Sequence, residues 1–249
     1  SREPARAADH ASPPLREMMK ALGHNRAFFF LLGAFFLHTV DSGVLTSAIA
    51  YYVTYVLEKD TDFLSLMFLL QFGSTIVAIP VWMMLGRRFG KFAVFIAALL
   101  IQAVMVSFYA LLSDSTPTPI VLATIVAVGM AEGGIQVFAF SMLSDCINHH
   151  SKQEGAVAAE ALFTGVFIAG EKLGYAVGTL IGGLVFSLAG LVATTQGAVA
   201  QPQSAIDGIR WATSIIPALV NVAAIGLFLF YRSFEREVVR LDQLEAATA

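Results

Sequence analysis

The chain has 249 residues, of which 57% are hydrophobic and 13% charged, with a formal net charge of -3 at pH 7. Ordinary soluble domains carry roughly 25% charged residues, so a water-soluble globule is excluded, because one core of this length could not hide so much apolar surface. The near-neutral charge leaves no electrostatic footprint for nucleic acid, and the single cysteine, Cys146, excludes an internal disulfide framework and a cysteine-only metal site.

Residues 1–26 are polar and read as a cytoplasmic arm. The apolar run that follows is too long for the core of a signal peptide, so none is expected. A chain that starts with Ser1 rather than Met is expected to be a fragment or a processed product. A bilayer core about 30 Å thick takes about 20 apolar residues of helix, and six segments reach that length: 27–57, 63–85, 92–112, 120–143, 161–191 and 209–231. Barrel strands cross in about ten alternating residues; these runs are longer and do not alternate. The expectation is an all-α membrane domain of six transmembrane helices over 27–231, followed by a polar tail, 232–249.

Within that order, Tyr51, Tyr52 and Tyr55 end the first span and read as an interfacial aromatic belt, with substrate stacking as the second reading. Pro80 is expected to kink the second span. The connections EKDTD, GRRFGK, SDSTPTP and SDCINHHSKQEG hold the breakers and charges. His149 and His150 fall in the last of these and read as a solvated loop, since two adjacent histidines make no metal site by themselves.

Lys and Arg set the orientation. The arm, the loop with Arg87, Arg88 and Lys91, the loop with Lys152 and the tail together carry twelve, against Lys59 and Arg210 on the other side. The basic side is therefore expected to be cytoplasmic, with both termini inside and a bacterial inner membrane as the expected location.

Ionisable residues inside a membrane helix cost a few kcal/mol and mark ion or substrate pathways. Asp41, Glu132, Glu171 and Lys172 lie away from the span ends, at depths that coincide near the midplane, where transporters place substrate and coupling-ion sites. Structural ion pairs, Lys172 with one acid, are the plainer alternative. Three acids against one base leave an excess that favours a proton or Na+ site. In the fifth span Gly170, Gly174, Gly178 and Gly182 form a small-residue stripe for close packing, while Lys172 lies about 200° from Gly170 on a polar side with Thr164, Tyr175 and Thr179. His38 and Ser42 flank Asp41 and read as interhelical hydrogen-bonding groups, or as a proton relay.

These segments resemble a known family. The stretch AEALFTGVFIAGEKLGYAVGTLIGG (159–183) is similar to the eleventh helix of the glycoside–pentoside–hexuronide:cation symporters, a branch of the major facilitator superfamily. Glu160, Ala161 and Lys172 keep that helix's spacing of Glu, small residue and Lys. SMLSDCIN (141–148) resembles the end of helix ten, with Asp145 in place of the first of two Asp and Asn148 in place of the second. YYVTYVLEKD (51–60) resembles the end of helix seven, and GRRFGK (86–91) the second copy of the superfamily's basic loop. The resemblance implies helices seven to twelve of a twelve-helix bundle, with residues 1–26 as its central loop. It implies Lys172 near the cation and sugar sites, and a cytoplasmic charge network of Asp145, Glu160, Arg87 and Arg88. Asp41 and Glu132 match no family position.

The expected function is therefore cation-coupled symport of a sugar or similar small polar solute by alternating access, with Na+ or H+ as coupling ion and no other cofactor. The expected partners are membrane lipid, the solute and an N-terminal six-helix half, in the same chain or separate. A carrier for a lysolipid or other amphiphile and a non-transporting scaffold are the alternatives. An intramembrane enzyme is disfavoured, because His38, Asp41 and Ser42 sit on one helix and cannot surround a substrate.

Overall fold

The structure, a computed structural model, describes residues 26–151, 156–192 and 199–231. Its regular elements are helices: α1 Arg26–Tyr55, α2 Thr61–Phe89, α3 Lys91–Phe108, α4 Thr118–Ser151, α5 Ala156–Ala189, α6 Gln203–Thr213 and α7 Ile215–Leu229. Helices alone satisfy every backbone group within one segment in lipid. Six spans result, because α6 and α7 together make one apolar stretch, Gln203–Leu229. The arm before Arg26 and the tail after Tyr231 lie outside the described residues.

Helix ends depart from hydropathy for local reasons. α2 runs on through Gly86, Arg87 and Arg88 and stops at Gly90, whose φ of 86° is a left-handed conformation that favours glycine. Its other end is capped by Asp60, whose carboxylate accepts the N–H of Phe63 at 2.9 Å, satisfying an amide that the first turn leaves free. Pro80 lies inside this uninterrupted helix. α4 extends past 143 to Ser151, since neither Gly nor Pro occurs between Leu143 and Gln153 to stop it. His149 and His150 thus fall on the backbone of a helix end, and their side chains lie outside the described residues.

The sixth span starts at Gln203 and breaks at Ser214, which takes φ -130° and ψ -72°. Pro217 accounts for the break: it has no N–H to give the carbonyl of Thr213, and its ring clashes with that carbonyl. The hydroxyls of Thr213 and Ser214 donate back to the carbonyls of Ile209 and Arg210. Arg210 donates from one guanidinium nitrogen to the carbonyls of Ala110 (3.3 Å) and Leu112 (2.9 Å). It thereby satisfies two carbonyls of the turn that follows α3.

α1 packs along α5 and α7, α4 along α2 and α3, and α3 against α7. Two glycine seams set the closest approaches. Along α5, a methyl placed on Gly174 would strike Phe36 O at 2.8 Å and the Thr39 hydroxyl, and one on Gly178 the Val40 carbonyl; from α1, one on Gly43 would strike the backbone of Tyr175. The second seam joins α4 to α2, where methyls on Gly129 and Gly133 would strike the carbonyls of Gln71 and Thr75. There Thr75 Oγ1 donates to Gly129 O at 2.9 Å and Trp82 Nε1 to Met130 O at 2.6 Å. Small residues permit such contact in a membrane, where packing rather than water drives association.

Buried apolar residues fall into two clusters. One gathers Phe28 to Phe35 of α1 with Phe95, Ile135, Phe167 and Phe228. The other gathers Val44 to Leu57 with Val106, Ile125 and Ile209. Tyr52, expected at an interface, is buried in the second, its hydroxyl donating to Tyr109 O at 2.6 Å. Tyr51 and Tyr55 stack on each other with centroids 6.4 Å apart.

Candidate functional site

Between the two clusters lies a layer that is not apolar. α1 contributes His38 and Asp41, α3 Gln102 and α7 Asn221, all buried. α4 contributes Glu132, whose side chain is 19% exposed. Three residues apart on a helix is one face, so His38 and Asp41 look the same way, toward α4 and α7.

The imidazole of His38 sits between two acids. Its Nε2 is 3.2 Å from Glu132 Oε2, and its Nδ1 is 3.4 Å from Asn221 Oδ1 and 3.7 Å from Asp41 Oδ2. Asn221 Nδ2 donates to Asp41 Oδ2 at 2.5 Å and to the carbonyl of Pro217 at 3.3 Å. Gln136, one turn along α4, donates to Glu132 Oε1 at 3.0 Å. An amide donates only through nitrogen and accepts only through oxygen. With Asn221 Nδ2 committed to Asp41, its oxygen faces His38 Nδ1, which must carry a proton to satisfy it. Both ring nitrogens then face acceptors, the arrangement of an imidazolium. Against two carboxylates this leaves one negative charge in excess. Asp41 Oδ1 and Gln102 Oε1 are buried with no hydrogen-bond partner among the described residues.

Ser42 turns its hydroxyl back to His38 O at 3.1 Å and takes no part in this layer. Among the described residues, no group of three or more His, Cys, Asp or Glu is arranged to hold a metal ion.

The other sequence candidates lie elsewhere. Lys172 is 71% exposed and pairs at 2.7 Å with its neighbour Glu171, away from the glycine seam that holds α5 to α1. Tyr175 and Thr179 are exposed on the same helix, the Thr179 hydroxyl bonding back to Tyr175 O at 3.0 Å, and Thr164 is half-buried. The structure thus brings Asp41 and Glu132 together through His38, and leaves Lys172, Glu171, Tyr175, Thr164 and Thr179 as a separate open group. At the far end of α4, Asp145 pairs with Lys91, whose Nζ lies 2.6 Å from Oδ2. Glu160, Arg87 and Arg88 are exposed there, Arg88 lying over the Phe89 ring at 5.4 Å.

Sequence reasoning missed Asn221, Gln136 and Lys91. Asn221 had a visible signal, a lone amide in the apolar run IIPALVNVAAIGLFL. The partner of Asp145 did not, since Arg87, Arg88 and Lys91 are equally close to it in charge and sequence.

A family model described as MFS/sugar transport protein matches residues 1–233. A glucuronide carrier protein homolog of Escherichia coli is 26% identical over 237 residues, covering 93% of this chain and 50% of its own length. An uncharacterized symporter of Synechocystis sp. is 23% identical over 221 residues, covering 88% of this chain and 40% of its own. The chain therefore spans half or less of the length of these curated relatives.

Proposed function

The chain belongs to the MFS/sugar transport protein family, and from that membership we propose that it is the C-terminal six-helix half of a secondary active carrier for a sugar or similar small polar solute. Transport is coupled to Na+ or H+ and proceeds by alternating access, the two halves rocking about a midplane site. The observation that carries this reading is the charged layer His38–Asp41–Glu132–Asn221, buried between two apolar clusters halfway along the spans. A scaffold would gain nothing from ionisable groups at that depth, which are costly and mark pathways.

The N-terminal half is the proposed partner of α2 and α5. These are the least buried spans, with Val77 and Leu188 exposed by 74% and 88%. Lys172 and Glu171 stand on this open side of α5 and are placed to meet solute or the other half. The cytoplasmic network is proposed to close at Asp145 with Lys91, near Arg87, Arg88 and Glu160, in a bacterial inner membrane with both termini inside. The relatives' names are those of carriers, and the layer offers no nucleophile, so we read no enzymatic activity here.

The test is uptake of labelled glucuronides and simple sugars into vesicles containing the full protein, with Na+ and H+ gradients imposed separately. Lys172→Ala should fold and abolish uptake. Uptake that survives collapse of both gradients would sink the symport reading, and unaltered uptake in Lys172→Ala would remove Lys172 from the pathway.

A further inference from the structure

We propose that His38, Asp41, Glu132 and Asn221 form a proton-binding site inside this half, and that the ion exchanged there is H+ rather than Na+. The proposal rests on the reading of the chain as half of an ion-coupled carrier. Three features of the layer carry it.

The first is the orphaned oxygen. Asp41 Oδ1 is fully buried with no donor among the described residues, although a buried carboxylate oxygen without a hydrogen bond is costly. A proton there replaces an unpaired buried charge with a neutral carboxyl group, which costs far less to bury. The second is what surrounds the other oxygen. Asn221 Nδ2 donates to Asp41 Oδ2 at 2.5 Å, and His38 Nδ1, whose hydrogen goes to Asn221 Oδ1, lies 3.7 Å from that oxygen. Hard cations collect several oxygens around them; here the imidazole lies between Asp41 and Glu132, with one ring nitrogen against Glu132 and the other against Asn221 Oδ1. The third is the charge. Two carboxylates and one imidazolium make -1, and one proton brings the layer to zero. In that step an O–H bond of a hydronium ion breaks, an O–H bond forms on Asp41, and a water molecule is left behind.

Neighbouring helices add no competing charge. The buried polar side chain of α3 at this level is the neutral Gln102, and α7 brings Asn221. On α5, Glu171 and Lys172 close on each other; on α6, Arg210 is committed to the carbonyls of Ala110 and Leu112. α2 meets α4 through Ser74, Thr75 and Trp82. Glu132 has a partly exposed side chain while those of His38 and Asp41 are buried, so the proton's entry is assigned to the Glu132 side of the layer. The layer ties α1 to α4 and to α7, so its charge state bears directly on how those helices hold together.

The experiment is a pH titration of the native full-length protein in lipid nanodiscs, followed by infrared difference spectroscopy of the protonated-carboxyl band. It is repeated with NaCl in place of choline chloride at equal ionic strength. We expect one carboxyl band that titrates, is lost in Asp41→Asn, persists in Lys172→Ala and does not respond to Na+. Should Asp41→Asn fail to fold, Glu132→Gln serves: it removes the excess charge that the proton cancels, and the band should go with it. A band that survives the variant, or that Na+ abolishes at fixed pH, overturns the proposal. Because the titration needs no solute, its failure beside intact gradient-driven uptake would leave the carrier reading standing, and the reverse result would leave only the proton site.

Discussion

The sharpest perturbation of this fold is a single methyl group at Gly178. Placed there, it would overlap the carbonyl of Val40 and lie 2.9 Å from that carbonyl's carbon and from the amide nitrogen of Val44. These are backbone atoms of α1 and cannot rotate aside. Carbon contacts are comfortable at about 3.5–4.0 Å, so α1 and α5 must part by about 1 Å at this level. The strain is that of overpacking, about 1–3 kcal/mol. For a chain of this size, each kcal/mol moves the melting temperature by roughly 2–4 °C, so Gly178→Ala should melt at least a few degrees low. Gly183, five residues along the same helix, has nothing within 4 Å of such a methyl. Gly183→Ala should be neutral, or gain up to about 1 kcal/mol of helix propensity. Thermal unfolding in one detergent, read by a thiol-reactive dye that finds the buried Cys146 only on unfolding, compares the two. If Gly178→Ala melts no lower than Gly183→Ala, the close approach of α1 and α5 is not what the glycines are for.

Three further outcomes follow from the packing. Arg210→Leu strips a charged donor from the carbonyls of Ala110 and Leu112 and should cost about 1.5–3 kcal/mol, with hydrogen exchange rising first at the end of α3. Tyr52→Phe deletes the bond to Tyr109 O and should lower stability by about 1 kcal/mol while leaving the ring packing intact, as a small fall in melting temperature. A double-mutant cycle on Lys91 and Asp145, whose side chains are about half exposed, should yield only about 0.2–1 kcal/mol, and less in high salt.

Hydropathy made the six spans legible because length and apolarity are properties of a single segment. The 100° advance per residue likewise separated the glycine face of α5 from Lys172 on its far side. Other features depend on what lies across a gap, and a sequence read helix by helix cannot show that. Asp41 and Glu132 stood out as misplaced charges, yet the layer they belong to is assembled from three helices, His38 and Asp41 on α1, Glu132 on α4 and Asn221 on α7. Trp82 and Thr75 give no sign in sequence that they answer the glycines of α4. The break at Ser214 was foreshadowed by Pro217, but the apolar run on either side carries hydropathy straight through it. Chain segments 152–155 and 193–198 lie outside the described residues.

The joint at Gly90 limits how this half can flex. One residue separates the end of α2 from the start of α3, and the Gly90 amide is still tied to Gly86 O at 3.0 Å. A trans peptide link spans about 3.8 Å between α-carbons, so the two helix ends cannot drift apart there. The other ends are joined to the bundle by longer segments, residues 56–60 and 109–117. Tilting α2 against α3 therefore works like dividers with the pivot at Gly90: displacement is least on the side of Arg87 and Arg88 and greatest near Asp60. Any seam between α2 and the proposed N-terminal half would thus widen at one membrane surface while staying shut at the other.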